Sequence, residues 1–167
     1  MRSYLFVLII MTLLASCGPK IIPDEIEAKI DKDLPFEEIS RDPELHIGRT
    51  ILVGGEIIET RNLKDGTEIE ILQKPLSSDR APLPVDESTG RFFLVAATFL
   101  DPEIFSSGRR VTVVGMVAGG RTQQIGGTER LYPVLEKEHI HLWPLGLVRP
   151  YDSSPRFHIG LGAIFSR

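Results

Sequence analysis

Cysteine is almost missing: Cys17 is the only one in 167 residues, so no disulfide can form within the chain. Positive charge is in deficit, with 19 Lys and Arg against 23 Asp and Glu and a formal net charge of −4. No broad basic patch is available to meet phosphates, which argues against a nucleic-acid partner. No apolar run approaches the roughly 20 residues that a membrane-spanning helix needs. There is no Gly-x-Ser-x-Gly elbow. Gly160-Leu161-Gly162 lacks the third glycine and the strand-turn-helix setting of a phosphate loop. Aromatic residues are few, at 7%, but 42% hydrophobic and 25% charged residues are ordinary for a globular chain. Disorder or a collagen-like fibre is therefore excluded for the chain as a whole.

What is there begins at the N-terminus. Met1-Arg2 is a short positive region, and Leu5 to Leu14 (LFVLIIMTLL) is an uncharged apolar run followed by Ala15 and Ser16. This is the order of a secretory signal, which lies outside the fold. Its end, Leu14-Ala15-Ser16-Cys17, resembles the bacterial lipobox. That resemblance implies cleavage before Cys17, a diacylglyceryl thioether on its sulfur and an acyl chain on its nitrogen. Removing residues 1–16 takes away a single charge, Arg2, and makes the mature chain more negative by that amount. Two or more acyl chains hold a protein firmly to a membrane, where one does so only marginally. Gly18 stands where an Asp would favour inner-membrane retention, so the expected address is the outer membrane, lipid-anchored and facing the periplasm.

Four regions are expected: a signal peptide at 1–16, a lipidated N-terminus and tether at 17–40, a β-barrel domain at 41–143, and a tail at 144–167. Residues 18–33 hold two prolines and many charges, which disfavours a core there. A short helix from Asp24 and a further turn over Pro35 to Ser40 are compatible with the pattern, and Glu25 and Lys29 can pair at i,i+4.

From residue 41 the pattern becomes β. The predicted strands are 49–60, 67–72, 91–99, 109–119 and 129–143. The first is broken by Gly54-Gly55, which suggests a bulge or bend. Thr67, Ile69 and Ile71 alternate with Glu68 and Glu70, so the two sets face opposite sides of one strand. The three prolines of 73–90 mark a long loop, and 119–127 (GGRTQQIGG) reads as a turn. Asp101 can cap a helical turn with Pro102 at its first position. An interruption is expected near Pro133 in the fifth strand. The segments 42–57 and 101–117 echo each other: Asp-Pro-Glu, an apolar residue, a glycine, a basic residue, then a β run. Two capped turns leading into glycine-bent strands explain the echo; a duplication would need a longer match. The fold expected is mainly β: a small five-stranded OB-like barrel with a short helical turn between strands three and four. A different small barrel or sandwich is the rival.

The succession Gly48, Gly54-Gly55-Glu56-Ile57-Ile58, Thr67 to Leu72, Pro75-Leu76, Gly90-Arg91-Phe92, Phe99-Leu100-Asp101-Pro102, Arg110 to Gly115, Tyr132-Pro133-Val134 and Trp143 resembles the Slp family of outer-membrane lipoproteins. The resemblance covers about residues 36–143 behind the lipobox. It implies an envelope lipoprotein and brings no catalytic residues. The Tyr- and Trp-rich tail of that family is not matched by residues 144–167.

Candidate chemistry is sparse. His139 and His141 share one face of a strand and could supply two metal ligands, with Glu136 and Glu138 nearby; an exposed face opposite Ile140 and Leu142 is the plainer reading. Ser77, Ser78 and Asp79 lie in the proline-rich loop, where solvation accounts for them. Asp86-Glu87 and Glu136 with Glu138 read as surface charge sooner than as a hydrolase pair. Arg91 is expected to pair with an acidic neighbour, with ligand binding as its alternative role. Trp143 is expected to close the barrel end. Phe157, Ile159, Leu161, Ala163 and Phe165 alternate, as in a last strand or a membrane-touching segment. No cofactor, no metal and no catalysis are expected. Cys17 is the one site residue, for lipid attachment. The membrane, through that lipid, is the expected partner, with envelope proteins as further candidates. In a glycan- or peptide-binding alternative, the outer-face Glu68 and Glu70 would suit a neutral or cationic ligand.

Overall fold

The computed structural model describes residues 20–125 and 127–145. Cys17, the stretch 1–16 expected to be a signal peptide, and the tail from 146 onward, with its Phe157–Phe165 alternation and Gly160-Leu161-Gly162, lie outside them. Two short helices, α1 (Asp24–Glu27) and α2 (Phe36–Arg41), come before the strands. Five strands, β1 (Thr50–Leu63), β2 (Gly66–Lys74), β3 (Arg91–Ala96), β4 (Arg110–Ile125) and β5 (Thr128–Leu142), close into a barrel in the order β1-β2-β3-β5-β4. All neighbours are antiparallel except β3 and β5. This is the five-stranded OB-type barrel.

Alternation decides which side chains fill it. Ile51, Val53 and Ile57 of β1, Ile69 and Ile71 of β2, Phe92 and Leu94 of β3, Val111, Val113 and Val117 of β4 and Leu135 of β5 form one buried cluster. The glycine pair lets β1 serve both halves. Residues 50–56 pair with β4 and residues 54–63 with β2, so the two ladders overlap at Gly54-Gly55-Glu56. A Cβ on Gly55 would lie 2.2 Å from Ile71 Cγ2 and 2.6 Å from the Leu72 carbonyl oxygen, so only hydrogen allows this approach. The register shift itself falls a little later, between Ile57 and Glu59.

Both barrel ends are plugged by turns. Helix α2 inserts Phe36 and Ile39, the former 5.6 Å from the Phe92 ring centroid. At the other end the Asp101–Phe105 turn packs Leu100 and Phe105 on the core. Asp101 caps that turn by accepting from the Glu103 N–H at 2.9 Å, as its position before Pro102 suggests.

The echo between 42–57 and 101–117 is structural. Gly48 and Gly108 both take positive φ, +84° and +82°. The Gly48 N–H donates to Val117 O at 2.8 Å, and the Gly108 N–H to Ile57 O at 2.9 Å. Each turn thus delivers its strand against the far end of the other, although only Asp101 caps its turn and Asp42 makes no capping hydrogen bond.

Three sequence expectations are corrected. The stretch expected to be a tether is packed on the barrel from Ile21 on: the Ile21 carbonyl meets His139, Ile22 is 2% exposed, the Asp31 N–H donates to Thr50 O at 2.8 Å, and Asp31 pairs with Arg49. Its charges meet partners across the barrel surface, so they do not keep it in solvent. Residues 119–125 are not a turn; β4 runs on to Ile125. β5 runs unbroken through Pro133, which stands opposite Gly120.

Candidate functional site

The long β4–β5 hairpin folds over the outer face of β2 and β3. Arg121 and Tyr132 stand opposite each other in it. Arg121 places its guanidinium carbon 3.7 Å above the Phe93 ring and donates to Glu68 Oε2 at 2.8 Å. Tyr132 meets the same ring edge-on, with centroids 6.1 Å apart. Phe93 therefore points out of the barrel and is still 1% exposed. The base of the hairpin is held from its other side: the Gly120 N–H donates to Glu44 Oε1 at 2.9 Å, and a Cβ on Gly120 would lie 2.6 Å from Pro43 Cγ.

This arrangement overturns the expectation for Glu68 and Glu70. They are on the outer face as the alternation requires, but they are 8% and 6% exposed. Each is matched by an arginine, Glu68 by Arg121 and Glu70 by Arg91 at 2.7 Å. Their negative charge is neutralised, so they offer nothing to a cation. Arg91 takes the acidic neighbour expected for it.

Beside this ladder a cleft of about 320 Å3 opens between the end of β2, the start of β3 and the hairpin. It is lined by Leu72, Gly90, Arg91, Thr128, Arg130 and Tyr132. A second cleft, about 410 Å3, lies between the segment 20–27 and Ser78–Arg80. Its walls carry the Lys20–Asp24 and Arg80–Glu27 ion pairs. The Arg80 guanidinium holds the Glu27 carboxyl below its usual range, and Glu27 in return raises the Arg80 pKa.

The other sequence candidates are occupied structurally. His139 Nε2 contacts Ile21 O at 2.8 Å. His141 is pushed down in pKa, first by burial and then by the charge of His139. Among the described residues no three His, Cys, Asp or Glu side chains are grouped to hold a metal ion. Glu138 pairs with Lys29 at 2.8 Å, while Glu136, Asp86 and Glu87 are exposed. The Ser77 hydroxyl accepts from the Ala81 N–H at 3.0 Å and faces Asp79 inside a tight turn. Trp143 does not close the barrel. It lies half-buried on the outer face, edge-on to His141 with centroids 4.7 Å apart, and donates from Nε1 to Thr112 Oγ1 at 2.9 Å.

Sequence reasoning missed Phe93, Arg121, Thr128, Arg130 and Tyr132 as a group. The available signal was Arg121 and Gln123 at strand spacing, hidden by the glycine pairs at 119–120 and 126–127, with Tyr132 beyond the second pair.

Residues 14–161 match the outer membrane lipoprotein Slp family. The chain belongs to this family. It is 30% identical over 151 residues to the uncharacterized lipoprotein YeaY of Escherichia coli K12, covering 87% of this chain and 77% of that one. It is 28% identical over 135 residues to the outer membrane protein Slp of the same organism, covering 80% and 70%. A Haemophilus influenzae protein is 34% identical over 106 residues, 63% of this chain and 57% of that one. Among solved structures, the mitochondrial single-stranded DNA binding protein Rim1 of S. cerevisiae covers 56% of this chain and 92% of its own at 19% identity and a TM-score of 0.34. The small single-stranded DNA-binding protein of Streptomyces coelicolor gives the same coverage at 16% identity and a TM-score of 0.35. Likenesses this loose carry no argument about what this Slp-family chain binds.

Proposed function

We propose that this Slp-family lipoprotein is anchored by acyl chains on Cys17 and presents its barrel on the periplasmic side of the outer membrane, where it serves as a non-enzymatic interaction or structural module. The observation that carries this reading is the family match itself: it begins at Leu14, the first residue of Leu14-Ala15-Ser16-Cys17. A tightly plugged barrel supports the non-enzymatic reading. Its interior is filled by isoleucine, valine, leucine and phenylalanine, and pockets for small-molecule chemistry are usually concave sites with convergent polar groups.

Intact mass and membrane fractionation of the wild type and Cys17→Ser in a Gram-negative host test the reading. The wild type should carry the mass of a triacyl anchor and float with outer membrane, and the variant should stay unacylated. A soluble or unmodified wild type removes Cys17 as the anchor. Accessibility to a protease in spheroplasts against intact cells reads the side on which the barrel lies.

A further inference from the structure

We propose that the cleft under the β4–β5 hairpin binds an oxyanion, carboxylate or phosphate, carried on a compact ring such as an acidic sugar unit. The charge argument comes first. The lining residues are Leu72, Gly90, Arg91, Thr128, Arg130 and Tyr132, two guanidiniums and no carboxylate. Glu70, the nearest acid to Arg91, is engaged by one Arg91 nitrogen, Nη1. An arginine has five N–H donors, so Arg91 keeps donors for a second acceptor, and its side chain is 35% exposed. Arg130 is exposed and has no ion-pair partner among the described residues. Two forked donors at one opening suit an oxyanion, which accepts bidentate, charge-assisted hydrogen bonds.

The body of the ligand follows from the rest of the lining. Leu72 and Tyr132 give apolar surface, and the Thr128 hydroxyl adds a donor and acceptor. Gly90 contributes backbone to the lining, at φ +135°, a conformation side chains rarely adopt. A volume of about 320 Å3 is at the small end of ligand sites, which limits the occupant to a single ring with its substituents. The roof is also fixed in place. The Arg121–Phe93–Tyr132 stack and the Arg121–Glu68 pair hold the hairpin over β2 and β3, so the cleft is a formed site.

The experiment uses the mature lipoprotein in detergent micelles and the full-length Cys17→Ser chain. Glucuronate, glucose 6-phosphate, glucose and inorganic phosphate are titrated, following backbone amide resonances and the binding isotherm. A saturable shift of the amides of Leu72, Arg91, Thr128 and Arg130 is expected with glucuronate or glucose 6-phosphate and not with glucose. Tighter binding of glucuronate assigns the anion to a carboxylate, and tighter binding of glucose 6-phosphate to a phosphate. Arg130→Gln, an exposed substitution that orphans no ion-pair partner among the described residues, should weaken binding about tenfold, the loss of one charge-assisted contact, while amides far from the cleft stay in place. Equal binding of glucose, no effect of Arg130→Gln, or no saturable shift with any probe overturns the proposal. Inorganic phosphate binding as tightly as both sugar acids overturns the ring. The cleft contains none of the anchor residues, so absence of binding by an acylated chain and absence of acylation are separate results.

Discussion

Arg121 places its guanidinium carbon over Phe93, 3.7 Å from the ring centroid, and reaches Glu68. One side chain from the hairpin thereby covers an outward-facing phenylalanine and neutralises a buried carboxylate of β2.

Removing that side chain should be costly. Arg121→Ala leaves Glu68 buried without its partner and uncovers Phe93. Arg121 is 41% exposed, so solvent screening reduces the penalty below that of a fully buried pair. A loss of about 1–3 kcal/mol is expected from urea denaturation. Glu68→Gln in the same background should recover some of it, and strictly additive losses would show that the two groups do not interact.

The glycines divide into two kinds. Gly55→Ala drives a methyl into Ile71 and the Leu72 carbonyl, and should destabilise by about 2–3 kcal/mol or prevent folding. Gly108→Ala meets nothing within 4 Å and should cost only the left-handed backbone conformation, about 1 kcal/mol. Thermal midpoints of the two variants measured together check the order.

The segment before the barrel should detach as a unit. Its ties include Ile22, the Ile21 carbonyl on His139, Glu27 on Arg80, Lys29 on Glu138 and Asp31 on Thr50 and Arg49. Ile22→Asp forces a carboxylate into a site 2% exposed, and hydrogen exchange of residues 20–31 should rise while the amides of β2 and β3 stay protected. Uniform loss of protection would mean that the segment and the barrel unfold together.

Acid should weaken the same surface in two steps. His141 has its pKa lowered by burial and by His139, so the unfolded chain takes up a proton before the folded one does. Stability contributed by its neutral form is complete above the unfolded value near 6.5 and is lost as pH falls through the lowered folded value. Glu27, lowered by Arg80, contributes above its unfolded value of 4.5 and loses that contribution as pH falls through its own folded value. Urea midpoints against pH should decline below about 6.5, and His141→Asn should flatten the early stage of the decline. An unchanged slope would remove His141 as its source.

The sequence shows the barrel well because its signals are local. Thr67, Ile69 and Ile71 alternate with Glu68 and Glu70 within one strand, and the structure turns each set to its own face. What covers a face is not local. Arg121 lies 53 positions from Glu68, and nothing in the β2 pattern announces it. Gly119-Gly120 reads as a turn because paired glycines usually mark one, yet here hydrogen side chains let β4 pass against Pro43 and Leu131. Ile22 is missed for the same reason: its neighbours are charged and prolyl, and their partners, Arg80, Glu138 and Arg49, come from three distant elements.

The packing of residues 20–31 sets a limit on reach. Lys20 follows Cys17 by only three peptide steps, and a fully stretched chain covers at most about 11 Å over that interval. An anchor on Cys17, as proposed, would therefore be tied to the barrel by only a short span before the contact of the Ile21 carbonyl with His139. With the proposed anchor on Cys17, the domain would ride close to its point of attachment, with a preferred side toward it, and any partner that needs to be met far out in the surrounding space would have to come in to the barrel.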